Sequence, residues 1–204
     1  MERNLYLDKL IRRKNNGMIK VITGIRRSGK TYLLFELFYD YLIKSGVDKD
    51  HIIKIALDDR INKRYRDPDV LCEYVHNAVK DDDMYYVLLD EVQMVSEFED
   101  VLNSFLHIKN VDTYVTGSNA KFLSKDIITE FRGRGDQIHL FPLSFAEYML
   151  GRGIDRLQAW QEYTMYGGLP KMFEIENEED KAAYLRDIFK ETYIKDILER
   201  NDVR

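Results

Sequence analysis

Residues 18–31 read MIKVITGIRRSGKT, an apolar run, 18–23, followed at once by a glycine-bounded octet, 24–31. Gly24, Gly29, Lys30 and Thr31 fit G-x-x-x-x-G-K-[ST], the P-loop that wraps nucleotide phosphates. Glycine lets the backbone turn tightly and aim its N–H groups inward, so the loop Gly24, Ile25, Arg26, Arg27, Ser28, Gly29 forms a cradle for anions. The helix that follows adds the positive end of its dipole. Lys30 is placed to reach the β- and γ-phosphates, and the Thr31 hydroxyl to help hold Mg²⁺. A glycine turn beside a basic surface patch has the same local composition. The strand before the octet and the helix after it favour the phosphate cradle.

Outward from this octet the chain alternates strands and helices. A lead-in helix over 4–14 stops at Asn15-Asn16-Gly17, residues that tolerate left-handed backbone angles. Strands are predicted at 18–23, 51–57, 84–89, 111–116 and 137–140, and helices at 30–45, 67–80 and 98–108. Residues 84–89, MYYVLL, are wholly apolar, as a parallel strand buried on both faces should be. The expected fold is α/β, a parallel sheet flanked by helices. After Phe141-Pro142 no further strand is visible, and helices are predicted at 144–150, 154–166 and 178–200. The expected domains are therefore a P-loop core over 1–141 and a small helical lid over 142–204. The charged helical sequence at the end, ILERNDVR, suggests the N-terminal portion of a longer protein.

The strand at 84–89 runs into Asp90 and Glu91. A P-loop enzyme needs a carboxylate at the end of a neighbouring strand for the metal shell, and Asp90 fits. Glu91, one residue on, fits a general base that deprotonates the attacking water. A small-molecule kinase of the same fold class would exclude water, so this pair points to hydrolysis of ATP. The fourth strand ends in Thr116-Gly117-Ser118-Asn119. A neutral polar side chain there can bond both the phosphate and the water; Asn119 is the first choice and Ser118 the second. The same turn could simply cap the next helix. FRGRGD at 131–136 puts two arginines on an exposed connection, where one could reach a neighbouring subunit's γ-phosphate. Sequence does not separate Arg134 from Arg132.

GIRRSGKT, VLLDEVQ at 87–93, VTGSNA at 115–120, FRGRG and FPLSFAEYM at 141–149 together resemble a prokaryotic ATPase family of the AAA+ superfamily. The resemblance covers nearly the whole chain. It implies a five-stranded parallel sheet ordered 5-1-4-3-2 and a helical lid. It implies Gly24 to Thr31 as Walker A, Asp90 and Glu91 as Walker B, Asn119 or Ser118 as sensor 1, and Arg134 or Arg132 as a trans arginine finger in a homo-oligomer. ATP and Mg²⁺ are the implied cofactors. No sensor-2 arginine is evident on the lid. GGLP at 167–170 instead resembles the Gly-Leu-Pro turn of related signalling ATPases, which makes Gly168 and Pro170 candidate adenine neighbours. The expected activity is ATP hydrolysis that drives or gates a partner. The alternative is a slow nucleotide-dependent switch or scaffold, associated with DNA, that acts through a further C-terminal domain.

Composition bounds these readings. A net charge of −5 argues against broad nucleic-acid binding, though not against a local basic patch such as Arg12-Arg13-Lys14. The single cysteine, Cys72, excludes an internal disulfide framework. No run approaches the roughly 18–20 apolar residues of a membrane span, and the N-terminus lacks a signal-peptide core, so a cytoplasmic location without a membrane partner is expected. The four histidines show no metal-ligand spacing.

Overall fold

Strand β1 (Ile19–Thr23) is buried at all five residues, and the sheet is built around it. The computed structural model describes residues 3–117, 131 and 133–190. In chain order these form α1 (Asn4–Arg12), β1, α2 (residues 30–44), β2 (Ile52–Ala56), α3 (Pro68–Ala78), β3 (Tyr85–Asp90), α4 (Phe98–Phe105), β4 (Val111–Thr116), β5 (Gly135–His139), α5 (Phe145–Arg152), α6 (Arg156–Tyr166) and α7 (Glu178–Ile188). The sheet has five strands in the order β2-β3-β4-β1-β5. Every pairing is parallel, which is the predicted order read from the other edge. β3 is buried along its whole length, as a strand covered by helices on both faces must be.

The chain forms two compact units. Asn4–Thr23 and Lys30–His139 make the sheet unit. Arg3, Gly24–Gly29 and residues 140–190 make the helical unit. Sequence placed the P-loop wholly within 1–141, yet its first six residues pack with the helical unit.

In the sheet unit, Ile19, Val21, Val87, Leu89 and Val115 meet Leu71, Val75, Leu102 and Phe105 of α3 and α4 in the main core. Local chemistry starts the helices where sequence predicts. Asp67 accepts hydrogen bonds from the Asp69 and Val70 N–H groups, with Pro68 in the first turn. One feature of the sheet was hidden in the apolar run. Lys20 of β1 is fully buried and ion-paired with Asp112 of β4. The Lys20 ammonium also donates to the Met18 carbonyl at 2.9 Å. Asp112 accepts from the Tyr114 hydroxyl and the Asn15 N–H, each at 2.9 Å. Burial pulls the Lys20 pKa down while Asp112 opposes it.

In the helical unit, Ser144 and Glu147 form a reciprocal capping box at the start of α5. Asp155 and Asn177 cap α6 and α7. Glu162 of α6 is a polar hub. It accepts from the Tyr148 hydroxyl at 2.8 Å and pairs with Arg152 at 3.1 Å, and Lys181 of α7 lies 3.8 Å away. Tyr166, Leu169, Met172 and Ile188 form a small apolar core.

Several bounds differ from expectation. β5 begins at Gly135 rather than 137, because Gly135 pairs with Ile19 at the edge of β1. A 3-10 helix, Arg60–Arg66, follows β2, started by the Asp59 side chain on the Ile61 N–H. Inside α2, Leu33–Phe38 is wound as a π-helix. Helix α4 stops at Phe105 and continues as single turns, His107 N–H to Ser104 and Ile108 N–H to Phe105. Expected sites at Ser118, Asn119 and Arg132, and the end of the last predicted helix, lie outside the described residues.

Candidate active site

In an all-parallel sheet every strand delivers its last residue to the same edge. β3 ends there with Asp90, β4 with Thr116 and β1 with Thr23. β3 and β4 are in register at Leu89 and Val115, so the next residues, Asp90 and Thr116, lie side by side. Thr116 is fully buried. Its hydroxyl donates to Asp90 Oδ1 and accepts the Glu91 backbone N–H at 3.0 Å. From α2, the Thr31 hydroxyl donates to Asp90 Oδ2 at 2.8 Å. Both carboxylate oxygens are thus held by hydroxyls from different elements. Burial pushes the Asp90 carboxyl up from its ordinary range, against the two threonine hydrogen bonds. A desolvated carboxylate beside a hydroxyl is an oxygen donor set of the kind that suits Mg²⁺.

Glu91 follows with a left-handed backbone, φ 54° and ψ 50°. That region costs a non-glycine residue of order 1–3 kcal/mol and is held only where the surroundings determine it. Here Thr116 pins the N–H, and the Glu91 carbonyl accepts from the Met94 N–H at 3.0 Å. The side chain turns to the Gln93 amide, which donates to Glu91 Oε2. Lys30, at the start of α2, is buried.

Gly24–Gly29, the expected phosphate cradle, belong to the helical unit. Gly24 has φ 148°, and a Cβ there would sit 2.3 Å from the Leu140 carbonyl oxygen, so only glycine fits. Ile25 packs on the core of Tyr166, Leu169, Met172 and Ile188. A Cβ on Gly29 would meet Pro170 at 3.8 Å, so Pro170 lies against the loop. Gly168 packs directly on the Leu143 backbone, where a Cβ would come within 2.2 Å of a carbonyl. Arg27 has φ 64°, and its guanidinium lies over the Tyr184 ring at 5.0 Å. The Ser28 hydroxyl is buried and has no hydrogen-bond partner among the described residues. Arg26 is exposed.

Arg134 is elsewhere. It precedes β5 and is exposed, and its carbonyl accepts the Ile19 N–H at 2.9 Å. That is the starting edge of the sheet. Asp90 is at the finishing edge, about 16 Å away along a five-residue strand. Arg134 and Asp90 thus lie at opposite edges of the sheet.

The fold brings the sequence candidates Thr31, Asp90 and Glu91 together, whereas the contacts of Thr116, Gln93 and Tyr184 were not singled out in the sequence. Thr116 carried a readable signal, a polar residue closing an otherwise buried strand. Gln93 and Tyr184 owe their positions to tertiary structure. The fold also gathers His51, Asp81 and Asp83, whose ligand atoms lie within 4.8 Å of one another, a grouping not evident from histidine spacing. Its geometry is accounted for by a 3.1 Å His51–Asp81 pair that raises the His51 pKa.

The AAA domain family matches residues 16–149, a span that holds the P-loop, Asp90-Glu91, Thr116 and Arg134. The chain belongs to this family. An uncharacterized protein of Haemophilus influenzae is 32% identical over the full chain, which covers 52% of that protein. The uncharacterized protein MJ1544 of Methanocaldococcus jannaschii is 29% identical over 91% of the chain and 43% of its own length. This AAA+ domain thus spans about half the length of the curated relatives it matches. Solved structures share its fold. A DNA polymerase III gamma subunit-related protein of Thermotoga maritima aligns with a TM-score of 0.55 at 13% identity, over 95% of this chain and 65% of its own. Hsp104 of S. cerevisiae, solved in complex with casein, gives 0.57 at 13% identity, over 85% and 36%. Aeropyrum pernix ORC1, solved in complex with DNA, gives 0.54 at 13% identity, over 98% and 61%. The fold is therefore that of an AAA+ P-loop ATPase. No helix among the described residues is long and apolar enough to cross a membrane.

Proposed function

We propose that this AAA+ domain binds ATP with Mg²⁺ and hydrolyses it. The observation that carries the reading is the cluster Thr31, Asp90, Thr116 and Glu91, in which one buried carboxylate is held by two hydroxyls and a second begins at the next residue. The loop 24–29 and Lys30 bind the phosphates, and Pro170 flanks the base. Thr31 and Asp90 would hold Mg²⁺, which supplies charge neutralisation at the β- and γ-phosphates when bound. Glu91 takes a proton from water as the water oxygen bonds to the γ-phosphorus and the bond to the ADP leaving oxygen breaks. Asn119 orients that water in this reading.

Glu91→Gln is expected to keep ATP binding while slowing hydrolysis by at least about 10²-fold. Steady-state phosphate release and nucleotide titration measure the two quantities. Unchanged turnover would remove Glu91 from the role of base.

The position of Arg134 at the opposite sheet edge supports a trans finger in a homo-oligomer. Turnover per subunit should then rise with protein concentration in the wild type, and about 10³-fold less turnover is expected from Arg134→Ala at saturating concentration. Concentration-independent turnover that Arg134→Ala leaves untouched would oppose it. The output of hydrolysis is proposed to lie in the half of the relatives' length that this chain does not span. DNA is one partner class to test there, since one fold neighbour was solved with it. Turnover near 1 s⁻¹ or faster would mark a motor, and much slower turnover a switch.

A further inference from the structure

We propose that Gln93 is the positioning residue of the hydrolytic site, fixing the direction of the Glu91 carboxylate. The inference rests on the reading of Glu91 as the base and deepens it.

The geometry begins with the chain. Val92 is fully buried in the main core and anchors a one-turn 3-10 helix, Val92–Met94. The Met94 N–H closes on Glu91 and the Val95 N–H on Val92, each at 3.0 Å. The backbone of Gln93 is therefore set by the core on one side and by this turn on the other. Its side chain folds back so that Nε2 donates to Glu91 Oε2. With Thr116 on the Glu91 N–H, the base is gripped at both ends, backbone by β4 and carboxylate by Gln93.

The other half of the amide separates a functional role from a structural one. Gln93 Oε1 is buried and accepts no hydrogen bond among the described residues. A glutamine kept for the fold would bond both ends of its amide to the scaffold. This one directs its donor to Glu91 and leaves a buried acceptor unmet among the described residues, an arrangement that costs stability. Turning the amide over would set oxygen against carboxylate, so the observed orientation is the one the pair allows. A local rule broken beside the chemistry is the expected mark of a site selected for function rather than stability. The chemistry is also suited to it. A neutral N–H orients a carboxylate without cancelling its charge, and a carboxylate with about four acceptor positions keeps capacity for a water proton.

The test is Gln93→Met, which keeps length and removes both polar atoms, beside Gln93→Asn, which keeps the amide and withdraws it by one methylene. Both are expected to lower kcat by about 10- to 100-fold, with KM for ATP within about twofold of wild type. Gln93→Met should melt no lower than wild type, because it also removes the unmet acceptor. A variant with wild-type kcat, or one that turns over faster, overturns the proposal. So does a loss explained by a lowered melting temperature or by raised KM alone. Glu91→Gln is run alongside. If it is inactive while the Gln93 variants turn over normally, only the positioning role fails. If Glu91→Gln is itself fully active, the reading of Glu91 as base fails first.

Discussion

Asp112→Ala is expected to destabilise the sheet unit by about 3–5 kcal/mol. Lys20 is fully buried between strands, and Asp112 is the carboxylate that balances it. Removing the partner leaves an ammonium in the centre of the sheet and strips the Tyr114 hydroxyl and the Asn15 N–H of their shared acceptor. Replacing both charges with apolar residues of similar volume, as in Lys20→Met with Asp112→Leu, should recover much of the loss, because a buried pair roughly offsets its own desolvation. Urea denaturation of the single and double variants reads this out. A single-variant loss under about 1 kcal/mol would show that the pair is solvated in solution and not the buried interaction described.

Lys30→Ala is expected to weaken ATP binding by about 10³-fold while leaving the fold intact. Two charge-assisted hydrogen bonds from an ammonium to phosphate oxygens contribute about 4 kcal/mol together, and that energy corresponds to three decades in Kd. Lys30 begins α2, where the helix dipole already favours anions, so the loop amides should retain weak residual binding. Titration with a fluorescent ATP analogue measures the loss. Affinity within threefold of wild type would remove Lys30 from the phosphate site, whatever the turnover of other variants.

How far the sequence could be read follows from where each feature's information lies. The octet at 24–31 and the run ending in Asp90-Glu91 are contiguous, so both motifs were readable without a fold. The alternation of strands and helices made the parallel sheet readable, while its strand order came from family resemblance. Lys20 was lost inside what looked like an apolar strand. Its partner is 92 residues away, and single-sequence periodicity does not report a charge matched across strands. Thr116 stood at a strand end, yet its two bonds to the Asp90-Glu91 pair exist only because β3 and β4 are neighbours. The linear motif leaves the roles of Arg26 and Arg27 open between contact with phosphate and docking of another domain, and the contact of Arg27 with the Tyr184 ring exists only in the fold. Helix ends moved by a few residues where turns or capping carboxylates decided them, as at α4 and the Asp59-started turn.

The six residues 24–29 share their packing with α6, α7 and the turn at Pro170. Ile25 is a member of the same apolar cluster as Met172 and Ile188. The segment proposed to bind phosphate thus packs with the helices that follow the sheet. Free-energy linkage then has no gap to cross: a ligand that stiffens the loop stiffens that cluster, and a force that loosens the cluster lowers the loop's affinity by the same amount. In such a molecule, occupancy of the cradle can be reported as mechanical rigidity of the helices, with no displacement of them required.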